Sequence, residues 1–436
     1  MQSLQRPRLV LLGLDGLPLS LVRQLAGEGR LPNLASLVDS SLSVRSELPE
    51  ISPVNWTSLY TALGPGEHGV FGFTRFDPAE YTLSCVDFNA VSVPTIFDCL
   101  GKKGLTSRVI NLPNTYPARP INGVLISGFT ALDFEHSVYP PFLKGTLKGA
   151  GYRLEADTVR GMQDHDFLLA DLNDTLSGRQ KALEILWPDL YWDLFLLVIT
   201  ETDRLGHFLF PALTDPDHPL SPACRHFLDR VDAIVGDVLE RFSNLPDPKR
   251  LIITADHGFT ELRTEVDLNV WLQQSGYLHL HETGGNEWDA SGISPGSTAF
   301  ALDPGRIYLH TVDRFARGML SPKRASQIRE QIRDALLQLK YQGEPVLQEV
   351  FRAEDLYQGE YLPFAPDLIC LAHPGFDLKA KFNRDEVFGL YGRRGCHDAY
   401  DAFYYDSRSA SVDRLRDVGG EILRFFNTRP EDSLFA

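Results

Sequence analysis

Asp256 and His257 stand side by side in the stretch LIITADHGF, residues 251–259. A carboxylate beside an imidazole is the start of a divalent-cation site. Asp203 and His207 repeat the pairing four residues apart, a spacing that one helical turn brings onto one face. Asp15 and His397 add one more residue of each type. Either pair alone is common by chance, and the weight lies in how many pieces complete one set. Three Asp and three His fit two divalent cations in mixed nitrogen and oxygen coordination, which suits zinc or manganese better than calcium. Ser52, followed by Pro53, adds a hydroxyl at a helix start. It reads there as an N-cap, with Pro at the first helical position, or as a nucleophile. Both share one geometry, because a helix N-terminus offers N–H groups and a positive dipole end to a phosphate held over the same serine. Two cations beside it would polarise a phosphoryl oxygen, lower the hydroxyl pKa and stabilise a leaving group. That is a recipe for phosphoryl transfer through a covalent serine intermediate.

The elements that must position these groups are strongly patterned. Residues 8–14, 193–200 and 251–254 are apolar runs of strand length, and each precedes one of the three aspartates. In a parallel sheet those C-terminal ends share one edge, so the carboxylates would converge. Helical spacing follows at 17–29, 95–105, 175–187, 222–242, 266–277 and 321–339, with a short helix from Leu34 and a closing one at 412–426. Further strands are expected at 107–111, 124–127, 299–302, 306–309, 346–357, 367–372 and 402–405. This alternation predicts an α/β sandwich, a mostly parallel central sheet with helices on both faces. One domain spanning 1–436 is expected, with cap insertions around 130–170 and 278–380. Residues 130–170 lack periodicity, 282–297 read as a Gly- and Ser-rich loop, and His68 reads as structural.

Composition narrows the function classes. A net charge of −16 argues against a nucleic-acid polymer or an anionic membrane as partner. It leaves a phosphorylated small molecule open, because bound cations invert the local field. The five cysteines are scattered and lack any CxxC spacing, which favours a reducing compartment, the cytoplasm. No apolar segment reaches the length of a membrane span, and the N-terminal apolar run, broken by Gly13 and Asp15, is short for a signal peptide.

The order of motifs resembles the alkaline phosphatase superfamily. Its usual run is a strand ending in Asp, a Thr or Ser nucleophile before a helix, a D-x-x-x-H segment, an Asp-His pair after a strand, and a late G-x-H. This chain shows GLDG, ISPVNWTSLYTALGPGEHG, ETDRLGH, TADHGF and GCH in that order, over roughly residues 8–405. It looks closest to the type I phosphodiesterases and nucleotide pyrophosphatases. Within that branch, NLPNTYPARPINGVLISGF and GFTELRTEVDLNVWLQQSGYL resemble a bacterial group of predicted phosphohydrolases or phosphomutases.

The resemblance implies an alkaline-phosphatase-like three-layer sandwich and two divalent ions per chain, zinc ahead of manganese. One ion would be held by Asp15, Ser52, Asp256 and His257, the other by Asp203, His207 and His397, with Ser52 as the nucleophile. It implies a phosphohydrolase with a phosphodiester or nucleotide-like substrate. A phosphomutase on the same site is the alternative; a phosphomonoesterase, a sulfatase or a silent scaffold ranks lower. The sequence departs from the family at two places. Phe73 stands where an Asn would bind a phosphate oxygen, so that contact is sought among Asn55, Arg75, Asn111 and Asn114. Cys396 precedes the late histidine and reads as a bystander to the metals.

Overall fold

The computed structural model describes residues 6–281 and 285–429. It divides into two compact units. The first comprises the chain through Leu63, Asp87–Thr260 and the chain from Gly392 on. The second comprises Gly64–Val86 and Glu261–Tyr391.

An eight-stranded sheet organises the first unit, in the order Ser41–Val44, Ala402–Asp406, Lys249–Thr254, Arg8–Leu14, Leu194–Ile199, Ser107–Leu112, Gly123–Ser127, Val138–Tyr139. The five strands from Lys249–Thr254 to Gly123–Ser127 run parallel. Ala402–Asp406 pairs antiparallel beside Lys249–Thr254, and the edge strands Ser41–Val44 and Val138–Tyr139 pair antiparallel with their neighbours. Leu194–Ile199 is buried at every position and Arg8–Leu14 at all but its first. Both faces are therefore covered, and continuous apolar runs replace alternation. Helices supply the cover, among them His165–Leu186, Ser221–Ser243 and Leu415–Phe425, so the fold is the expected α/β sandwich.

Several boundaries differ from the sequence reading, and the strand expected at 346–357 ends at Arg352 and gives way to a helix, Ala353–Leu356. The helix expected at 175–187 begins ten residues earlier, at His165, because the Asp164 side chain accepts from the Phe167 N–H and caps it. The helix expected at 266–277 is a strand, Thr264–Asp267, then a shorter helix, Leu268–Gln274, with Asp267 as cap.

The second unit contains the whole 278–380 stretch apart from residues 282–284, which lie outside the described residues. The hairpin Ala299–Leu302 and Arg306–Leu309 forms as expected and continues into Leu368–Ala372 and Leu347–Arg352, the last of which packs on the helix Pro322–Leu336. His68 is buried in this unit and its Nδ1 accepts from the Val70 N–H at 3.1 Å.

Candidate metal centre

Sheet register brings the candidate residues to one level. Leu14 pairs with Ile199, and Gly13 with Thr254, so three adjacent parallel strands stop together. Asp15 follows the first strand directly, and Asp256 and His257 follow the second after Ala255. The helix Glu201–Thr214, carrying Asp203 and His207, starts just beyond the third. The strand ends are tied across: the Asp15 N–H donates to Ile199 O at 3.0 Å, and Thr202 Oγ1 donates to Asp15 O at 2.6 Å. Asp203 and His207 sit in the regular first turns of their helix, before the kink at Leu209 and Pro211. His397 comes from the short strand Gly395–Asp398.

Ser52 is not the N-cap. Ile51 holds that place with extended backbone, and Ser52 is already the first residue of the helix Ser52–Thr61. Its hydroxyl is turned away from the helix. Oγ lies 3.3 Å from Asp15 Oδ1 and 3.4 Å from His257 Nε2. One turn on, Trp56 Nε1 donates to the other Asp15 oxygen at 2.9 Å. Gly13 makes room for that indole, since a Cβ there would lie 2.6 Å from the ring. Gly16, at φ +65°, turns the chain so that its N–H reaches Asp256 Oδ1 at 3.1 Å.

Each imidazole is oriented by a backbone carbonyl at Nδ1. The partners are Gly258 O for His257 at 3.0 Å, Glu50 O for His397 at 2.7 Å, and Gly395 O for His207 at 3.5 Å. For His257 and His397 the carbonyl places the proton on Nδ1 and leaves Nε2 with a lone pair, whereas His207 Nδ1 also faces the Arg393 guanidinium, a donor, at 3.4 Å. All three Nε2 atoms converge on Asp203 Oδ1, at 3.3 Å from His397, 3.4 Å from His207 and 3.7 Å from His257. The Nε2 atoms of His207 and His397 are 3.1 Å apart. Lone pairs facing a carboxylate oxygen at such distances repel unless positive charge sits among them.

Protons do not supply that charge readily. Burial holds His257 below the usual histidine range, and burial with the Arg393 guanidinium holds His207 well below it. Among the carboxylates, burial and then the charges of Asp256 and Asp203 raise Asp15 well above its usual value. Burial and Asp203 push Asp256 up to about 6. Asp203 goes the other way. Burial would raise it, but His207 and Arg204 pull it well down, and with His207 kept neutral the guanidinium is the permanent charge.

Among the three site aspartates, two carboxylate oxygens, Asp203 Oδ1 and Asp256 Oδ2, are buried and accept no hydrogen bond. Buried polar atoms are normally satisfied, and buried charges are paired or bound to metal. Two groups among the described residues could each hold an ion: Asp15, Asp256 and His257, and Asp203, His207 and His397. Within each, the ligand atoms lie within 4.8 Å of one another. The donor set of Asp and His therefore fits two divalent ions, with Ser52 Oγ against the first group.

The other sequence candidates are placed differently. Asn55 accepts from the Glu47 N–H at 2.7 Å and donates to the carbonyls of Glu47 and Ile51 at 3.2 and 3.1 Å, so it shapes the 47–51 loop rather than facing a ligand. Asn111 donates to Val198 O and Thr200 Oγ1, and Asn114 to Thr57 Oγ1; both are fully buried. Arg75 is an exposed residue of the second unit, on Thr74–Asp77, and Phe73 belongs to that unit as well. Cys396 is buried, and strand alternation turns it from the face that His397 presents. Trp56, Arg204, Glu155 and the three carbonyls were not singled out from the sequence. Trp56 had a signal, its i, i+4 spacing from Ser52. The carbonyls had none, because every residue carries one.

The family of type I phosphodiesterases / nucleotide pyrophosphatases matches residues 9–399. Phosphonoacetate hydrolase from Sinorhizobium meliloti 1021, solved in complex with phosphonoformate, aligns with a TM-score of 0.63 at 14% identity, covering 98% of this chain and 96% of that one. Murine ectonucleotide pyrophosphatase / phosphodiesterase 5 aligns at 0.56 and 13% identity, covering 97% and 96%. The human protein of that name aligns at 0.54 and 15%, covering 97% and 95%. At such identities these likenesses show the fold. No curated protein matches by sequence. With the family match running over nearly the whole chain, the protein belongs to the type I phosphodiesterase / nucleotide pyrophosphatase family, phosphoric ester hydrolases of the alkaline phosphatase superfamily.

Proposed function

We propose that the chain is a two-metal phosphohydrolase that works through a phospho-serine intermediate on Ser52, with a phosphodiester or nucleotide-like substrate. The observation that carries this is the position of Ser52 Oγ, at a helix N-terminus and 3.3 Å from Asp15 Oδ1 and 3.4 Å from His257 Nε2. Asp15, Asp256 and His257, with Ser52 Oγ against them, would hold one ion, and Asp203, His207 and His397 would hold the other. Zinc is the favoured ion, and manganese suits the same donors. Bound divalent ions supply Lewis-acid polarisation of a phosphoryl oxygen and a lowered hydroxyl pKa.

The chain's own groups do the rest. Asp15 Oδ1 accepts from the Ser52 hydroxyl and orients it for attack on phosphorus. The positive end of the Ser52–Thr61 helix faces the phosphate that forms there. Ser52 Oγ loses its proton to solvent and gains the bond to phosphorus as the bond to the leaving alkoxide breaks and the alkoxide takes up a proton; water then attacks phosphorus, the Oγ–P bond breaks and the protonated serine is restored. Arg204 is committed to two carboxylates, Asp203 and Glu155, while the Arg393 guanidinium stands 3.4 Å from His207 Nδ1. The preference for a diester follows the family match. All five cysteines are free, in keeping with a reducing compartment such as the cytoplasm. No described helix is long and apolar enough to cross a membrane.

The test is turnover of bis-p-nitrophenyl phosphate beside p-nitrophenyl phosphate by metal-loaded protein and by Ser52→Ala. Diester turnover above monoester turnover is expected, falling by at least about 10³-fold in the variant. Acid-quenched wild type should carry a phosphoryl group on Ser52. Diester turnover surviving in Ser52→Ala refutes the covalent route and leaves water as the attacking group.

A further inference from the structure

The three ligand carboxylates are braced unequally. Asp15 takes a neutral indole N–H from Trp56, and Asp256 a neutral backbone N–H from Gly16. Asp203 alone of the three is held by a full charge, the guanidinium of Arg204, through Nη1 to Oδ2. That guanidinium is fixed from two more sides. Its Nε donates to Glu155 Oε2 at 3.2 Å, and its plane lies 4.2 Å over the Phe129 ring. Arg204 is itself 8% exposed, and its Nη2 is buried without a hydrogen-bond partner. Nη2 thus has no open face toward a substrate, and Arg204 acts on the site through Asp203.

We propose that Arg204, braced by Glu155 and Phe129, is a positioning residue. It pins Asp203 so that Oδ1 alone faces His207 and His397, and it makes the ion of that group the more loosely held of the two. The inference rests on the two-metal reading. A charge count supports the asymmetry. The Asp15 group offers two carboxylates and one imidazole. The Asp203 group offers one carboxylate and two imidazoles, with a cation already on that carboxylate's other oxygen. A carboxylate pinned at one oxygen binds through the other, and a guanidinium fork is what fixes it there.

The experiment is stepwise chelation of zinc- or cobalt-loaded full-length protein, following metal content per chain and the visible spectrum of bound Co²⁺. The variants are Arg204→Lys, which keeps the charge but not the fork, and Glu155→Gln, which leaves Arg204 in place but loosens it. His207→Ala identifies which step belongs to the Asp203 group. Wild type should lose its ions in two steps, the Asp203 ion first. Arg204→Lys should weaken that step by about 10–100-fold and change its Co²⁺ bands, leaving the other step alone. Glu155→Gln should shift the same step by less. Two indistinguishable steps in wild type overturn the proposal, as does an Arg204→Lys variant with both steps unmoved or moved equally. If Arg204→Lys does not fold, Glu155→Gln decides on the same criteria. Wild type that binds no metal overturns the two-metal reading and this inference together. Two bound ions with insensitive steps overturn this inference only.

Discussion

Asp256→Asn should stabilise the metal-free protein at neutral pH and sharply reduce its stabilisation by metal. Asp256 is fully buried, and its Oδ2 accepts no hydrogen bond. Burial and the Asp203 charge push its pKa to about 6, against 3.8 for an ordinary Asp. A folded pKa above the unfolded one means that the fold prefers the protonated acid. The stability this group contributes is therefore fully present below about pH 4 and is lost as pH rises through about 6. A gap of about two units at 1.36 kcal/mol each makes the loss about 3 kcal/mol at pH 7. An amide carries no such loss. Its oxygen can keep the Gly16 N–H, and its NH₂ replaces Oδ2, which lies 3.5 Å from the His257 Nε2 lone pair. The assay is thermal melting of chelator-treated wild type and variant at pH 5 and 7.5, then with zinc added. The variant should melt several degrees higher at pH 7.5, and the difference should close toward pH 5. Zinc should raise the wild type far more than the variant. A metal-free variant less stable than wild type at pH 7.5 would refute the reasoning, because Asp256 would then be a satisfied anion rather than an orphaned one.

Three further outcomes follow from particular contacts. Trp56→Phe removes the 2.9 Å N–H to Asp15 while keeping an aromatic ring against Gly13; stability should fall by about 1–2 kcal/mol and kcat several-fold with KM nearly unchanged, as steady-state kinetics would show. Asn55→Ala strips the 47–51 loop of its hydrogen bonds and should cost about 1–3 kcal/mol in urea denaturation. A large rise in KM with stability intact would instead make Asn55 a substrate contact. Cys396→Ser should leave the metal content per chain and the Co²⁺ spectrum unchanged, and a lost ion would make Cys396 a ligand.

Much of the frame was legible because burial on both faces of a parallel sheet forces unbroken apolar runs. Arg8–Leu14 stops at Asp15 and Leu194–Ile199 at Thr200, where the composition changes. Boundaries failed where one polar side chain decided them. Asp164 starts a helix ten residues ahead of any clear apolar period, and Asp267 splits an expected helix into strand and helix. Ser52 reads equally as an N-cap or as a nucleophile, because Ser before Pro at a helix start serves both; the structure gives the cap position to Ile51. The Ser52 hydroxyl is instead claimed by Asp15 and His257, which lie 37 and 205 residues away in the chain.

The sequence by itself determined which groups could ligate and that three aspartates follow three strand-like runs, since residue type and local periodicity are properties of short segments. Tertiary structure alone decided that Leu14, Ile199 and Thr254 stop at one level. It also decided that Nδ1 of each imidazole meets a carbonyl, that Arg204 reaches Asp203 and Glu155, and that Asn55 and Asn111 turn inward. These depend on register, on side-chain direction and on backbone atoms that every residue shares. Such contacts join segments far apart in the chain, so no local pattern marks them.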